Sequence, residues 1–290
     1  MMKNPKIWMF ISATTIIAST LIIIFIKPNW GIDFTGGSSI EIQGNAQDAA
    51  KAKDLLLNQF HIEAQTEGTQ DGTIRIKTPS IDDATHAKII TALQNATIMN
   101  GREISFEQIG PTIGKELRTK SIQAISVVLV VMIIYLAYTF RNTSGLVSSW
   151  KFGIAAIYAL IHDLFLVTAC FVVFGKLWGA EIDTLFVTAQ LAILGYSVND
   201  TIVIFDRLRS EWLASRGKSF IDTLDRALRL TLSRSINTSL TTLLSLTAVL
   251  IFGGSSIRWF IVALIIGIIT GAYSSIFVAP PLLYYISKRK

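Results

Sequence analysis

Apolar residues run in blocks too long for a soluble fold. Six stretches approach the roughly 20 residues needed to cross a bilayer. They are residues 7–26, 122–140, 152–174, 185–205, 236–252 and 259–286. The first follows Lys3 and Lys6 and exceeds the apolar core of a signal peptide, about 7–15 residues. Lys27-Pro28-Asn29-Trp30 follows it without a small-x-small cleavage site, so an uncleaved anchor is expected. The last stretch holds Pro280-Pro281, where the chain is expected to leave the bilayer.

Between the first two stretches the pattern changes to short alternating runs. Residues 39–43 alternate polar and apolar, as a half-buried strand does. Over 46–60, Ala49, Ala52, Leu55, Leu56 and Phe60 fall near one helical face. Residues 62–66 and 72–78 read as two strands joined by a turn at Thr69-Gln70-Asp71-Gly72. Ser80, with Asp83 three residues on, resembles a capping box and opens a helix through Leu93. A last strand covers 103–107. The order strand–helix–strand–strand–helix–strand is the split βαβ, ferredoxin-like arrangement. The expected fold is therefore a polytopic α-helical membrane protein with one external α+β ferredoxin-like domain between transmembrane helices 1 and 2. Expected boundaries are 1–26 for the N-terminus and first helix, 27–120 for the external domain, and 121–290 for a five-helix membrane domain. The last contains a cytoplasmic loop at 207–233 and a basic tail.

Charge sets the expected orientation. The 290-residue chain is 51% hydrophobic and 16% charged, with a net charge of +6. Residues 27–120 carry 10 basic and 12 acidic side chains, so the excess of positive charge lies elsewhere. Arg141, Lys151, the seven cations from Arg207 to Arg234, and Lys288-Arg289-Lys290 fall on the side of Lys3 and Lys6. The opposite short loops hold only Lys176 and Arg258. By the positive-inside rule both termini face the cytoplasm. Lys115, Arg118 and Lys120 lie on the outer side, but long exported domains cross largely regardless of charge. No basic cluster sits beside a nucleic-acid reading motif. Cys170 is the only cysteine, which excludes an intramolecular disulfide and a cysteine-based metal site. His61 and His86 are lone histidines with packing or solvated roles. The amphipathic stretch 220–228 reads as a surface helix.

Candidate chemistry lies inside the spans, where each ionisable group costs roughly 2.5–3.5 kcal/mol on insertion scales. His162-Asp163 occupy the third span. Asn199-Asp200 occupy the fourth, with Tyr196 one turn earlier. Arg234 opens the fifth and continues as a polar stripe through Thr238, Thr241 and Ser245, with Asn237 and Thr242 beside it. An aspartate at this depth is pulled two ways: desolvation favours the acid, a nearby guanidinium the carboxylate. If helix movement changes that balance, the group takes up and releases a proton. The competing reading is a static ion pair or polar glue between helices, which for His162-Asp163 explains the residues equally well. An intramembrane aspartyl protease would need Gly-x-Gly-Asp, and Tyr196-Ser197-Val198-Asn199 precedes Asp200 instead. Gly267, Gly271 and Ser275 form a ladder of small residues that permits close helix approach.

Four stretches carry a resemblance. They are Gly31-Ile32-Asp33-Phe34-Thr35-Gly36-Gly37, Gly110-Pro111-Thr112-Ile113-Gly114-Lys115-Glu116-Leu117, the run from Gly195 through Arg207 with Asn199-Asp200, and Arg234-Ser235-Ile236-Asn237-Thr238-Ser239. In this order, with six spans and one external domain, the chain resembles the SecF family of bacterial protein-export subunits, in the resistance–nodulation–division superfamily. The resemblance implies a transport subunit rather than an enzyme, with no cofactor, in the bacterial inner membrane. It implies a heterodimer with SecD, association with the SecYEG channel and YajC, and an unfolded preprotein as cargo amid membrane lipid. Asp200 and Arg234 match the family's proton-pathway positions, with Tyr196, Asn199, Asn237, Thr238, Thr241, His162 and Asp163 as supporting polar residues. The alternatives are a proton-coupled transporter of a small molecule or lipid, and a scaffold that transduces nothing.

Overall fold

The computed structural model describes residues 2, 4–69, 72–141, 147–214 and 219–288. Lys3, Gln70-Asp71 of the expected turn, and the cations Arg216, Lys218, Arg289 and Lys290 lie outside these. In chain order the elements are α1 (Pro5–Ile26), α2 (Ile32–Thr35), β1 (Gly37–Gln43), α3 (Ala49–Phe60), β2 (Gln65–Gly68), β3 (Thr73–Thr78) and α4 (Asp83–Asn95). Then follow β4 (Glu103–Ile109), α5 (Pro111–Thr139), α6 (Ser149–Trp178), α7 (Thr184–Ala214), α8 (Phe220–Phe252), α9 (Arg258–Phe277) and α10 (Ala279–Lys288). Among the described residues six helical segments are long and apolar enough to span a bilayer, with α9 and α10 together forming the sixth. The chain divides into two compact units.

The external unit comprises Trp30–Ile122 and the short segment Glu181–Thr184. Its sheet has the order β2-β3-β1-β4, antiparallel throughout. Alternation fixes the register: Ile40 faces Ile76 and Ile42 faces Ile74 across β1 and β3. All four are fully buried under Ala52 and Leu56 of α3 and Ile89 and Leu93 of α4. A one-residue slip would turn every one of these to solvent. The ferredoxin-like order read from the sequence is therefore the observed one.

Three local expectations are corrected. The second strand begins at Gln65, not residue 62, because α3 ends with His61 in the left-handed conformation (φ 55°) and the chain must turn before it can pair. Residues 46–48 form a 3-10 turn capped by Asn45, so α3 starts at Ala49 rather than 46. The cap of α4 is Asp82, whose side chain accepts from the Thr85 backbone N–H at 2.9 Å. That bond, with the Thr85 side chain first among its causes, holds the Asp82 carboxyl below its ordinary range. Ser80 instead accepts from the Gln108 amide.

The glycine-rich motif supplies a tight path between α2 and β1. Gly36 and Gly37 have φ of 73° and 130°, and a Cβ on Gly36 would lie 2.8 Å from Pro111 Cα. A Cβ on Gly114 would lie 2.9 Å from the Gly36 nitrogen. The first two sequence motifs thus cross backbone to backbone. On the sheet, Arg75 and Lys77 meet Glu181, at 3.8 and 2.6 Å, and Arg75 reaches Glu41 at 3.5 Å.

The membrane unit comprises Met1–Asn29, Gln123–Ala180 and Leu185–Lys290. Helix α6 lies at its centre, packed on α1, α9 and α10. Phe140, Phe152 and Phe205 interlock, with Phe140 and Phe152 stacked at 4.8 Å and Phe205 edge-on to both. The small-residue ladder performs as expected: Gly267 lies against Ile193 and Gly271 against Ser197, both on α7. Helix α8 runs unbroken from Phe220 to Phe252, so residues 220–228 are its first turns and not a separate surface helix. Much of the segment expected as a loop at 207–233 is likewise helical, through the end of α7 and the start of α8. Glu211, 9% exposed, bridges Arg207 on its own helix (2.8 Å) and Arg226 on α8 (2.9 Å), tying the two helix ends together. The helical axis breaks at Val278, just before Pro280-Pro281.

Candidate functional site

Two aspartates sit buried in the membrane unit, and their surroundings differ. Asp163 on α6 is wholly buried. Its Oδ2 accepts from Ser197 of α7 at 2.8 Å and from Ser274 of α9 at 2.7 Å. Its Oδ1 lies 3.2 Å from His162 Nδ1. The other ring nitrogen, Nε2, lies 2.8 Å from the Thr15 hydroxyl of α1. Thr15 commits its own proton to the Ser12 carbonyl at 2.9 Å, so Nε2 is the donor in that pair. A bond between Nδ1 and Oδ1 then requires one proton held by His162 or Asp163. Either placement makes the pair neutral overall. A satisfied, neutral node thus joins α1, α6, α7 and α9.

Asp200 lies one turn beyond Ser197 on α7 and is 6% exposed. Its Oδ2 is buried without a hydrogen-bond partner among the described residues. The Ser235 hydroxyl of α8 stands beside the carboxyl yet outside hydrogen-bond geometry. Ser239, one turn further along α8, has a buried hydroxyl that is likewise unpaired. No ion pair joins Asp200 to Arg234, which is exposed on α8.

The remaining polar residues divide by face. Thr231, Ser235 and Ser239 are the buried stripe of α8, at spacings of four. Arg234, Asn237, Thr238, Thr241 and Ser245 form a second, exposed stripe. Thr238 and Thr241 bond back to carbonyls of their own helix at about 3.0 Å. Tyr196 makes a long contact, 3.5 Å, with Thr242. Asn199 is exposed. The structure therefore brings together Asp200 with Ser235, and His162 with Asp163, but not Asp200 with Asn199, Asn237, Thr238 or Thr241. Sequence reading missed Thr15, Ser197, Ser235, Ser239 and Ser274 as site residues. Ser197, Ser235 and Ser239 stood inside the motif stretches, and position relative to Asp200 and Arg234 was the available signal. Among the described residues no group of three or more His, Cys, Asp or Glu side chains could hold a metal ion.

What this arrangement can do is exchange a proton. A buried carboxyl oxygen without a donor is a costly state that a native fold keeps for a reason. The Ser235 hydroxyl beside it can donate to a carboxylate or accept from an acid.

Comparison with known proteins identifies the family and the fold. The family profile described as "Protein export membrane protein SecD/SecF, C-terminal" matches residues 88–289. That of the "SecD/SecF GG Motif" matches residues 21–46. The chain is 36% identical over 285 residues to a protein translocase subunit SecF of Thermobaculum terrenum, covering 94% of this chain and 89% of that one. It is 35% identical over 296 residues to that of Haemophilus influenzae, covering 100% and 86%. Among solved structures it is similar to SecDF of Thermus thermophilus, a translocon-associated membrane protein, with TM-score 0.86 and 30% identity. The match covers 99% of this chain and 38% of that one, so the chain spans well under half of SecDF. A SecDF structure in a super-membrane-facing form matches with TM-score 0.67 and 30% identity, over 97% of this chain and 38% of that one.

Proposed function

We propose, from the premise that the chain belongs to the SecD/SecF family of protein-export membrane proteins, that it couples proton movement to late steps of preprotein export. The observation that carries this is the unpartnered Oδ2 of buried Asp200, with the unpaired Ser235 hydroxyl of α8 beside it. The carboxyl takes a proton in one arrangement of α7 and α8 and loses it in another. Arg234 suits the role of movable counter-charge, because it stays charged when it pairs and unpairs. Moving one charge through 100 mV yields about 2.3 kcal/mol, enough to bias two helix arrangements without a bound nucleotide. The exposed stripe through Arg234, Thr238 and Thr241 is expensive against lipid and is the face a SecD helix would cover. The complete machine includes SecD, the SecYEG channel and YajC, with SecA acting before it and an unfolded preprotein as cargo. Both termini lie in the cytoplasm and the sheet unit outside the inner membrane.

The test is late-stage preprotein export into inverted vesicles holding this protein and SecD, with and without a proton gradient, at matched complex levels. Asp200→Asn removes the gradient-dependent increment while the complex still assembles. An equal response from both proteins would mean that Asp200 is structural and the protein a scaffold. Accumulation of a small solute or lipid, with no effect on export, would favour the transporter alternative.

A further inference from the structure

The motif Gly31-Ile32-Asp33-Phe34-Thr35-Gly36-Gly37 plays no part in proton exchange, yet one of its side chains makes an unusual contact. The Asp33 carboxylate, on α2, accepts from the Thr184 backbone N–H at 2.9 Å and from the Thr184 hydroxyl. Thr184 is the first residue of α7. The first N–H groups of a helix have no partner within it, and a carboxylate there also meets the positive end of the helix dipole. Such caps are ordinarily local in sequence. This one comes from 151 residues away.

The surrounding contacts hold the grip in place. Trp30 forms a parallel bridge with Ile182, and the Gly31 N–H donates to the Ile182 carbonyl at 3.0 Å. A Cβ on Gly31 would lie 3.0 Å from the Asp183 Cβ, so the two segments approach closely here. Glu181 pairs with Lys77 of β3 at 2.6 Å. Residues 181–184 thus belong to the external unit by contact, while Leu185 onward belongs to the membrane unit. Helix α7 passes through that division unbroken and carries Asp200 sixteen residues on, about 24 Å along a helix rising 1.5 Å per residue.

We propose that Asp33 is the positioning residue that couples the external unit to the helix carrying Asp200. A shift of α7 on proton exchange pulls on the carboxylate that grips its first turn, and the sheet unit follows. Asp33 touches neither proton nor cargo; it acts through Thr184. This rests on the reading of gradient-driven export.

The test uses the full chain with SecD in inverted vesicles and compares Asp33→Ala, Asp33→Asn, Thr184→Val and the Asp33→Ala/Thr184→Val double variant. Removing a charge-assisted bond lowers the gradient-dependent increment about fivefold or more in Asp33→Ala. Export without a gradient stays unchanged. Asp33→Asn retains most of the increment, because its amide oxygen still accepts both bonds. Thr184→Val loses part of the increment alone and nothing further in the Asp33→Ala background. A full increment in Asp33→Ala, a parallel fall in gradient-independent export, or losses that multiply in the double variant would each overturn the coupling. Amide hydrogen exchange separates this from a failure of the functional reading. Asp33→Ala speeds exchange in the first turn of α7 about tenfold or more and leaves β1 and β3 unchanged. An unchanged first turn overturns the grip, whatever the export assay shows. A native protein with no increment at all would sink the functional reading instead.

Discussion

Asp163 and Asp200 show how far two identical side chains diverge with their neighbours. Asp163 has two serine donors and a histidine, and with His162 it carries no net charge. Its bonds, with those of His162, join four helices at one point. Ser274→Ala removes one donor and leaves a buried oxygen under-bonded, which costs about 1–3 kcal/mol. Thermal melting of the detergent-purified protein should show the loss, with the gradient response of the surviving complex intact. A larger effect on coupling than on melting would move Asp163 into the proton path. Asp200 was legible in the sequence because a carboxylate inside an apolar run is conspicuous. The hydroxyls that decide between the two aspartates were not. Serine and threonine are common in spans, and only the facing of α8 separates Ser235 and Ser239 from Thr238 and Thr241.

At the scale of elements, alternation and turn residues carried most of the external unit. The strand and helix order was readable because four isoleucines, Ile40, Ile42, Ile74 and Ile76, mark one sheet face. The boundaries were less so: no sequence rule foresees a left-handed histidine ending α3. Strand β2 also contains a testable charge. Burial raises the Glu67 carboxyl, Arg75 and Lys77 oppose the rise, and Glu181 adds to it. A raised folded pKa means the folded chain holds this proton more tightly than the unfolded one. The resulting cost sets in as pH climbs past the ordinary value of 4.5 and is complete above the raised one. Glu67→Gln should therefore raise the melting temperature at neutral pH and leave it unchanged at pH near 4.5. A lower melting temperature at neutral pH would show that its pairing with Arg75 outweighs burial. In the membrane unit, Gly267 has no space for a Cβ, which would meet Ile193 at 2.1 Å. Gly267→Ala should lower the melting temperature by an amount equivalent to about 1–3 kcal/mol. Adding Ile193→Ala should recover part of it, and additive losses would count against direct α7–α9 contact.

For the whole molecule, the six spans were plain from run length, but their unequal burial was not. Windows of α6, α7 and α9–α10 are about half buried, whereas α5 and α8 are almost bare. Hydropathy cannot separate a lipid-facing apolar residue from one facing another helix. The polar stripe on α8 does separate them: it needs a partner. Thr241→Cys should react with a membrane-permeant maleimide when the chain is expressed alone and be protected when SecD is present. Equal labelling in both would place the SecD contact on another face. One further feature bears on how such a chain is assembled. The two leads of the external unit cross where Gly36 touches Pro111 and Gly114. For a segment whose ends meet, each doubling of its length adds only about 0.6 kcal/mol of closure entropy. The segment between these two leads is therefore free to vary in length at small cost. Shorter or longer inserts fit through that crossing, provided they keep the partners of Glu181 and Thr184.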